Sequence, residues 1–127
     1  MTPNNPYNKY NESKIFNASP EELTLMLFDG ALKFCNQSLD AVVANDIQKA
    51  HDSIMRVEDI IQEFQITLDM KYPVAEDFAR IFDYMLNRLV LANARKDKFI
   101  LEEVRNMLRG LRDTWKEAMI QAKRSHA

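Results

Sequence analysis

The chain has 127 residues, a formal net charge of −2 and 46% hydrophobic residues. That length suits a single domain able to bury roughly two-thirds of its unfolded surface. The near-neutral charge argues against nucleic acid as a partner, and the lack of any apolar run of 18 residues argues against membrane insertion as a helix.

Charge is unevenly spread, with 5 basic and 10 acidic groups over 1–64 and 12 basic and 9 acidic over 65–127. The one cysteine, Cys35, sits in an apolar run and reads as a small buried hydrophobe. A lone thiol forms no intrachain disulfide, which fits a reducing compartment. No charged-then-apolar signal stretch opens the sequence, so a cytoplasmic location is expected.

Residues 1–18 are polar, and two prolines and four asparagines within 1–11 oppose a regular helix. Tyr7, Tyr10, Ile15 and Phe16 are large groups of little use in a purely solvated tail. This segment is therefore expected to be flexible and to dock these four residues on the folded body.

Ser19-Pro20-Glu21-Glu22 is a helix start. Ser19 suits the N-cap, Pro20 the first helical position, and Glu22, three past Ser19, completes a capping box. The helix runs to about 44, with Leu23, Leu27, Phe34 and Ala41 on one stripe and Leu25, Phe28, Leu32, Cys35, Leu39 and Val42 on another. Apolar over more than half its circumference, it is expected to be the central element. Gly30 weakens it by about 1 kcal/mol and is read as allowing a close crossing.

Asn45-Asp46 ends this helix and caps a second over about 46–68. Ile47, Ala50, Ile54, Val57, Ile61, Phe64 and Leu68 step by three and four, as a bundle seam does. Ile60 lies off that seam and is expected to face a neighbour or a ligand. A third helix covers about 73–95, with Val74, Phe78, Ile81, Met85, Leu89 and Ala92 as its stripe and Phe82, Leu86 and Leu91 widening it. Asp97 caps a fourth over about 98–121, with Ile100, Val104, Leu108, Leu111, Trp115 and Met119 inward. The tail, 122–127, is expected to fray. Short connections turn each helix back along its predecessor, giving an all-α, antiparallel up-down-up-down four-helix bundle over 19–121.

Catalytic and cofactor signatures are missing from the sequence. His51 and His126 are preceded at three residues by Gln48 and Lys123, not by the glutamate of a di-iron bundle. No Ser, His and acid grouping and no glycine-rich phosphate loop occurs. Arg105, Arg109 and Arg112 share one face of the fourth helix and could hold phosphate or an acidic peptide, although Glu102, Glu103, Asp113 and Glu117 dilute them. The apolar surplus points instead to a protein that holds another chain. A small all-α enzyme or metal-binding bundle, and a self-associating structural bundle, are the alternatives.

The stretch from Tyr10 to Ala31, with Ile15-Phe16-Asn17-Ala18-Ser19-Pro20-Glu21-Glu22-Leu23 at its centre, strongly resembles the start of the bacterial flagellar export chaperone FliS family. Ala50-His51-Asp52-Ser53-Ile54, Val57-Glu58-Asp59-Ile60-Ile61, Phe82-Asp83-Tyr84-Met85-Leu86-Asn87-Arg88-Leu89 and Leu111-Arg112-Asp113-Thr114-Trp115 extend the resemblance over about residues 10–117. The resemblance implies a cytoplasmic, non-enzymatic chaperone without cofactors. Its client would be the disordered C-terminal segment of flagellin, kept from premature polymerisation and delivered to the flagellar export apparatus. Contact with regulators of flagellar gene expression is also implied. Ile60, Phe82, Tyr84 and Leu86 are expected near client-facing positions, with Tyr7, Tyr10, Ile15 and Phe16 covering the groove before the client arrives.

Overall fold

The structure, a computed structural model, describes residues 17–125. The expectations for Tyr7, Tyr10, Ile15 and Phe16 lie outside those residues. Regular structure among the described residues is an antiparallel four-helix bundle: α1 (Pro20–Val43), α2 (Ile47–Thr67), α3 (Ala75–Arg95) and α4 (Lys98–Ser125).

Local chemistry sets each boundary. Ser19 is extended at the head of α1, and its hydroxyl accepts the Glu22 N–H at 3.2 Å. Glu21 and Glu22 place negative charge at the positive helix end. Asn45 closes α1 in the left-handed region (φ 56°), with Asn45 N–H on the Val42 carbonyl and Asp46 N–H on that of Ala41. These are the paired bonds of a Schellman motif, and Asn tolerates that conformation. Asp46 then accepts the Lys49 N–H at 3.1 Å and starts α2. Asp97 starts α4 by accepting from Phe99 and Ile100.

The α3–α4 turn uses Lys96 at φ 51°, a conformation costing a non-glycine residue about 1–2 kcal/mol. Lys96 Nζ offsets part of that by donating to the Asn93 carbonyl at 2.5 Å and to Asn93 Oδ1 at 2.7 Å, where the end of α3 carries negative partial charge.

Three expectations are corrected. α3 begins at Ala75 rather than Pro73, because Tyr72–Ala75 forms a turn closed by Ala75 N–H on the Tyr72 carbonyl at 3.0 Å. α4 continues past the expected end near 121 to Ser125. Ile47 is exposed, because it opens α2 at the end of the bundle; the buried seam starts at Ala50.

The helices form a ring in which α1 packs against α2 and α4, and α3 packs against the same two. The α1–α2 pairing is the most extensive. Small buried residues (Ala31, Ser38 and Ala41 on α1, Ala50 and Ser53 on α2) let those backbones approach. Gly30 belongs to this contact, since a Cβ there would sit 3.5 Å from Ile60 Cδ1. α3 instead turns Phe78, Phe82, Met85 and Leu89 inward, and these bulky groups fill the centre. Phe64 and Phe82 stack at 5.0 Å, Phe28 meets Phe64 at 4.4 Å, and Phe78 meets Phe82 edge-on at 6.1 Å. Trp115 closes one end, donating to the Glu21 carbonyl at 3.4 Å and lying edge-on to Tyr72 at 4.8 Å.

Candidate partner-binding surface

Because α3 carries the bulky inward stripe, its two outer edges carry the surface features that matter. Residues 84 and 86 are about 200° apart around a helix at 3.6 residues per turn. One edge therefore faces α2 and the other faces α4.

On the α4 side, Tyr84 donates its hydroxyl to Glu103 Oε2 at 3.0 Å, and Arg88 Nε donates to Glu103 Oε1 at 2.8 Å. The Arg88 and Tyr84 bonds hold the Glu103 carboxyl below the usual carboxylate range. Tyr84 keeps 46% of its surface exposed despite this bond.

On the α2 side, His51, Met55 and Glu58 of α2 and Val90, Asn93 and Ala94 of α3, with Lys96 at the end, line a shallow cavity of about 510 Å³. Met55 is 41% exposed and Val90 60%. Leu86, one turn before Val90, is half-buried against the core and continues the apolar floor. Gln65 donates to Asp83 at 2.7 Å and bridges the groove further along. At the cavity end, Asn93 contacts His51 Nδ1 at 2.9 Å. Lys96 Nζ donates to the side-chain Oδ1 of the same Asn93 at 2.7 Å and ties it to the end of α3. Burial, followed by the nearby Asp59 charge, raises the Glu58 carboxyl.

A second cavity, of about 970 Å³, lies at the opposite end, where the chain enters α1. Tyr72, Val74, Ala118, Met119 and Ala122 give it apolar walls, and Glu21, Lys71 and Lys123 line it with charge. Tyr72 donates to Glu21 Oε1 at 2.8 Å. Burial and that carboxylate push its phenol up to about 12.

The four residues expected at the client face do not come together. Phe82 is 0% exposed within the aromatic cluster and is a core residue, because it occupies the centre of the inward stripe of α3. Ile60 is half-buried on the α1 side of α2, against Gly30. Tyr84 faces α4 and Leu86 faces α2. Met55 and Val90, the exposed apolar pair of the α2–α3 groove, carry no sequence signal beyond being apolar positions on otherwise polar faces.

Among the described residues, no group of three His, Cys, Asp or Glu is placed to hold a metal, and no helix is long and apolar enough to cross a membrane. The Cys35 thiol is fully buried, donates to the Leu101 carbonyl at 3.4 Å, and is raised by burial to about 11.

Residues 3–122 match the family model described as flagellar protein FliS. The chain is 36% identical over 124 residues to the flagellar secretion chaperone FliS of Bacillus subtilis, covering 98% of this chain and 92% of that one. It is 31% identical to the Escherichia coli chaperone of the same name, over 86% of this chain and 82% of the other, and 30% identical to that of Campylobacter jejuni, over 92% and 93%. A bundle with a sealed aromatic core and apolar groups left along its outer grooves is matched over nearly its whole length by flagellar secretion chaperones, and the chain belongs to the FliS family.

Proposed function

We propose that this protein is a cytoplasmic holding chaperone for the disordered C-terminal segment of flagellin. It keeps that segment from polymerising early and delivers it to the flagellar export apparatus, with regulators of flagellar gene expression as further contacts. The observation that carries this reading is the exposed apolar pair Met55 and Val90 in the α2–α3 groove, beside a core that is already closed. A groove exposed on a finished fold stabilises a guest chain without disturbing the host.

Ordering a disordered segment costs several kcal/mol and is offset by burying about 1,000–3,000 Å². The α2–α3 groove alone is too short for that, so the guest follows a path over several helices. The sequence has no phosphate-binding loop, so release occurs by handover to the next partner.

The first turn of α1 borders the cavity of about 970 Å³ through Glu21. That position supports the reading that Tyr7, Tyr10, Ile15 and Phe16 cover apolar surface until the client displaces them. Removing residues 1–17 then raises client affinity or exposes a dye-binding patch; unchanged values for both overturn this part.

The main test is titration calorimetry with a flagellin C-terminal peptide against the parent and a Met55→Glu/Val90→Glu variant. A carboxylate in the groove weakens binding by at least about tenfold while the melting temperature holds. Equal affinity would remove the groove from the binding path. A parent that doubles its mass without peptide and ignores the peptide would be a self-associating bundle.

A further inference from the structure

The fourth helix carries a feature that lies outside the α2–α3 groove. Taking about 100° per residue, Lys98, Arg105, Arg109, Arg112, Lys116 and Lys123 fall within about 60° of arc on α4 (Lys98–Ser125), and no other α4 residue shares that sector. All six are exposed or half-buried. Among the described residues, only Arg112 of the six enters an ion pair, with Asp29 and Asp113, each at 3.3 Å. Arg105 reaches only its neighbour Asn106, and Lys98 rests over the Phe99 ring. At about 1.5 Å per residue the row is roughly 37 Å long.

The row is single-file and bordered. Glu102, Asp113 and Glu117 flank it on α4, while Asp29, with Glu22 and Asp40 on the same face of α1, flanks it on the other side. A flat anionic membrane or a phosphate backbone, with a charge every 1.7 Å or so of duplex, would meet both acidic borders together with the basic row. A helix about 10 Å wide would meet the row alone. The steps also fit a helix: from Arg105 to Lys116 they run four, three and four residues, and Lys98 and Lys123 extend the pattern by seven at either end. Carboxylates at the same three- and four-residue steps on a partner helix would stay in register along such a row. Ile120, 42% exposed beside Lys116 and Lys123, offers an apolar anchor at one end.

We propose that this ridge on α4 is a docking surface for an acidic amphipathic helix of a second protein, separate from the client groove. Each exposed ion pair is weak, so recognition needs several in register. The acidic borders then reject helices whose charges are out of phase.

The test uses a labelled Glu/Ala helical peptide of about 25 residues, long enough to be helical in water, with Glu at the four-three-four spacing. A peptide of the same composition with scrambled spacing is the comparison. Anisotropy should show the patterned peptide binding at least about tenfold tighter than the scrambled one, with affinity falling as salt rises towards about 0.15 M. An Arg105→Gln/Arg109→Gln/Lys116→Gln variant should lose that binding while keeping the parent's melting curve and its affinity for flagellin peptide. A Glu102→Gln/Asp113→Gln/Glu117→Gln variant should bind both peptides alike, because its border is gone. Equal binding of the two peptides by the parent, no binding of either, or preferential capture of phosphatidylglycerol vesicles or single-stranded RNA would overturn the proposal. Because the peptides contain no flagellin sequence, the result stands whether or not the client reading holds.

Discussion

Phe82 decides between two descriptions of α3. If it is part of the core, Phe82→Ala removes a ring that is 0% exposed, stacked on Phe64 at 5.0 Å and near Phe28 and Phe78 at 6.4 and 6.1 Å. Truncating a buried Phe costs about 3–5 kcal/mol through lost transfer energy and the cavity left behind. Four rings share this space, so little can collapse into the gap, and the upper half of that range applies. A domain holds about 5–15 kcal/mol in total. At roughly 3–5 °C per kcal/mol for a chain of this size, the melting temperature falls by about 12–25 °C. The urea midpoint falls with the slope unchanged. Val90→Ser, 60% exposed, stays within about 0.5 kcal/mol. The assay is paired: circular dichroism melting beside peptide affinity below the transition. A Phe82→Ala protein that melts within about 3 °C of its parent yet no longer binds client would refute the core assignment.

Other outcomes follow from single residues. Gly110→Ala should raise stability by about 1 kcal/mol, since its Cβ would meet nothing within 4 Å. Gly30→Ala should also stabilise, because 3.5 Å to Ile60 Cδ1 is ordinary contact; a lower urea midpoint would show that α1 and α2 cannot give way there. The Cys35 thiol, raised to about 11 and fully buried, should stay unlabelled by a thiol reagent at neutral pH until the chain unfolds, and prompt labelling would contradict the packing. Glu103, held below its ordinary value by Arg88 and Tyr84, contributes stability above the unfolded carboxyl pKa of about 4.3, and that contribution disappears as pH falls through the lower native value. Glu103→Gln should therefore be slightly less stable than the parent at neutral pH and equal to it in strong acid, as read by urea midpoints across pH.

Ser19, Asp46 and Asp97 were legible as caps because a cap involves only the next three residues. The burial of Ile54, Val57, Ile61 and Phe64 was legible because a seam stepping by three and four leaves no other face for α2. The start of α3 was less so. Pro73 suits a first helical position, yet Tyr72 is drawn to Glu21 and Trp115 across the bundle and the chain turns before the helix begins. The groove was the least legible feature. Ile81, Phe82, Tyr84 and Leu86 are all hydrophobic or amphipathic, and their spacing alone leaves the phase of α3 open.

The sequence by itself determined four helices, their order and most of their ends, because caps, turns and apolar periodicity act over a few residues; the family resemblance rested separately on its motifs. The tertiary structure alone decided how α3 is rotated. That rotation buried Phe82, sent Tyr84 towards Glu103 and Leu86 towards α2, and left Met55 and Val90 open to solvent. A helix with more apolar positions than one face can bury takes its rotation from the rings it must fit around, here Phe28 and Phe64 on the other helices.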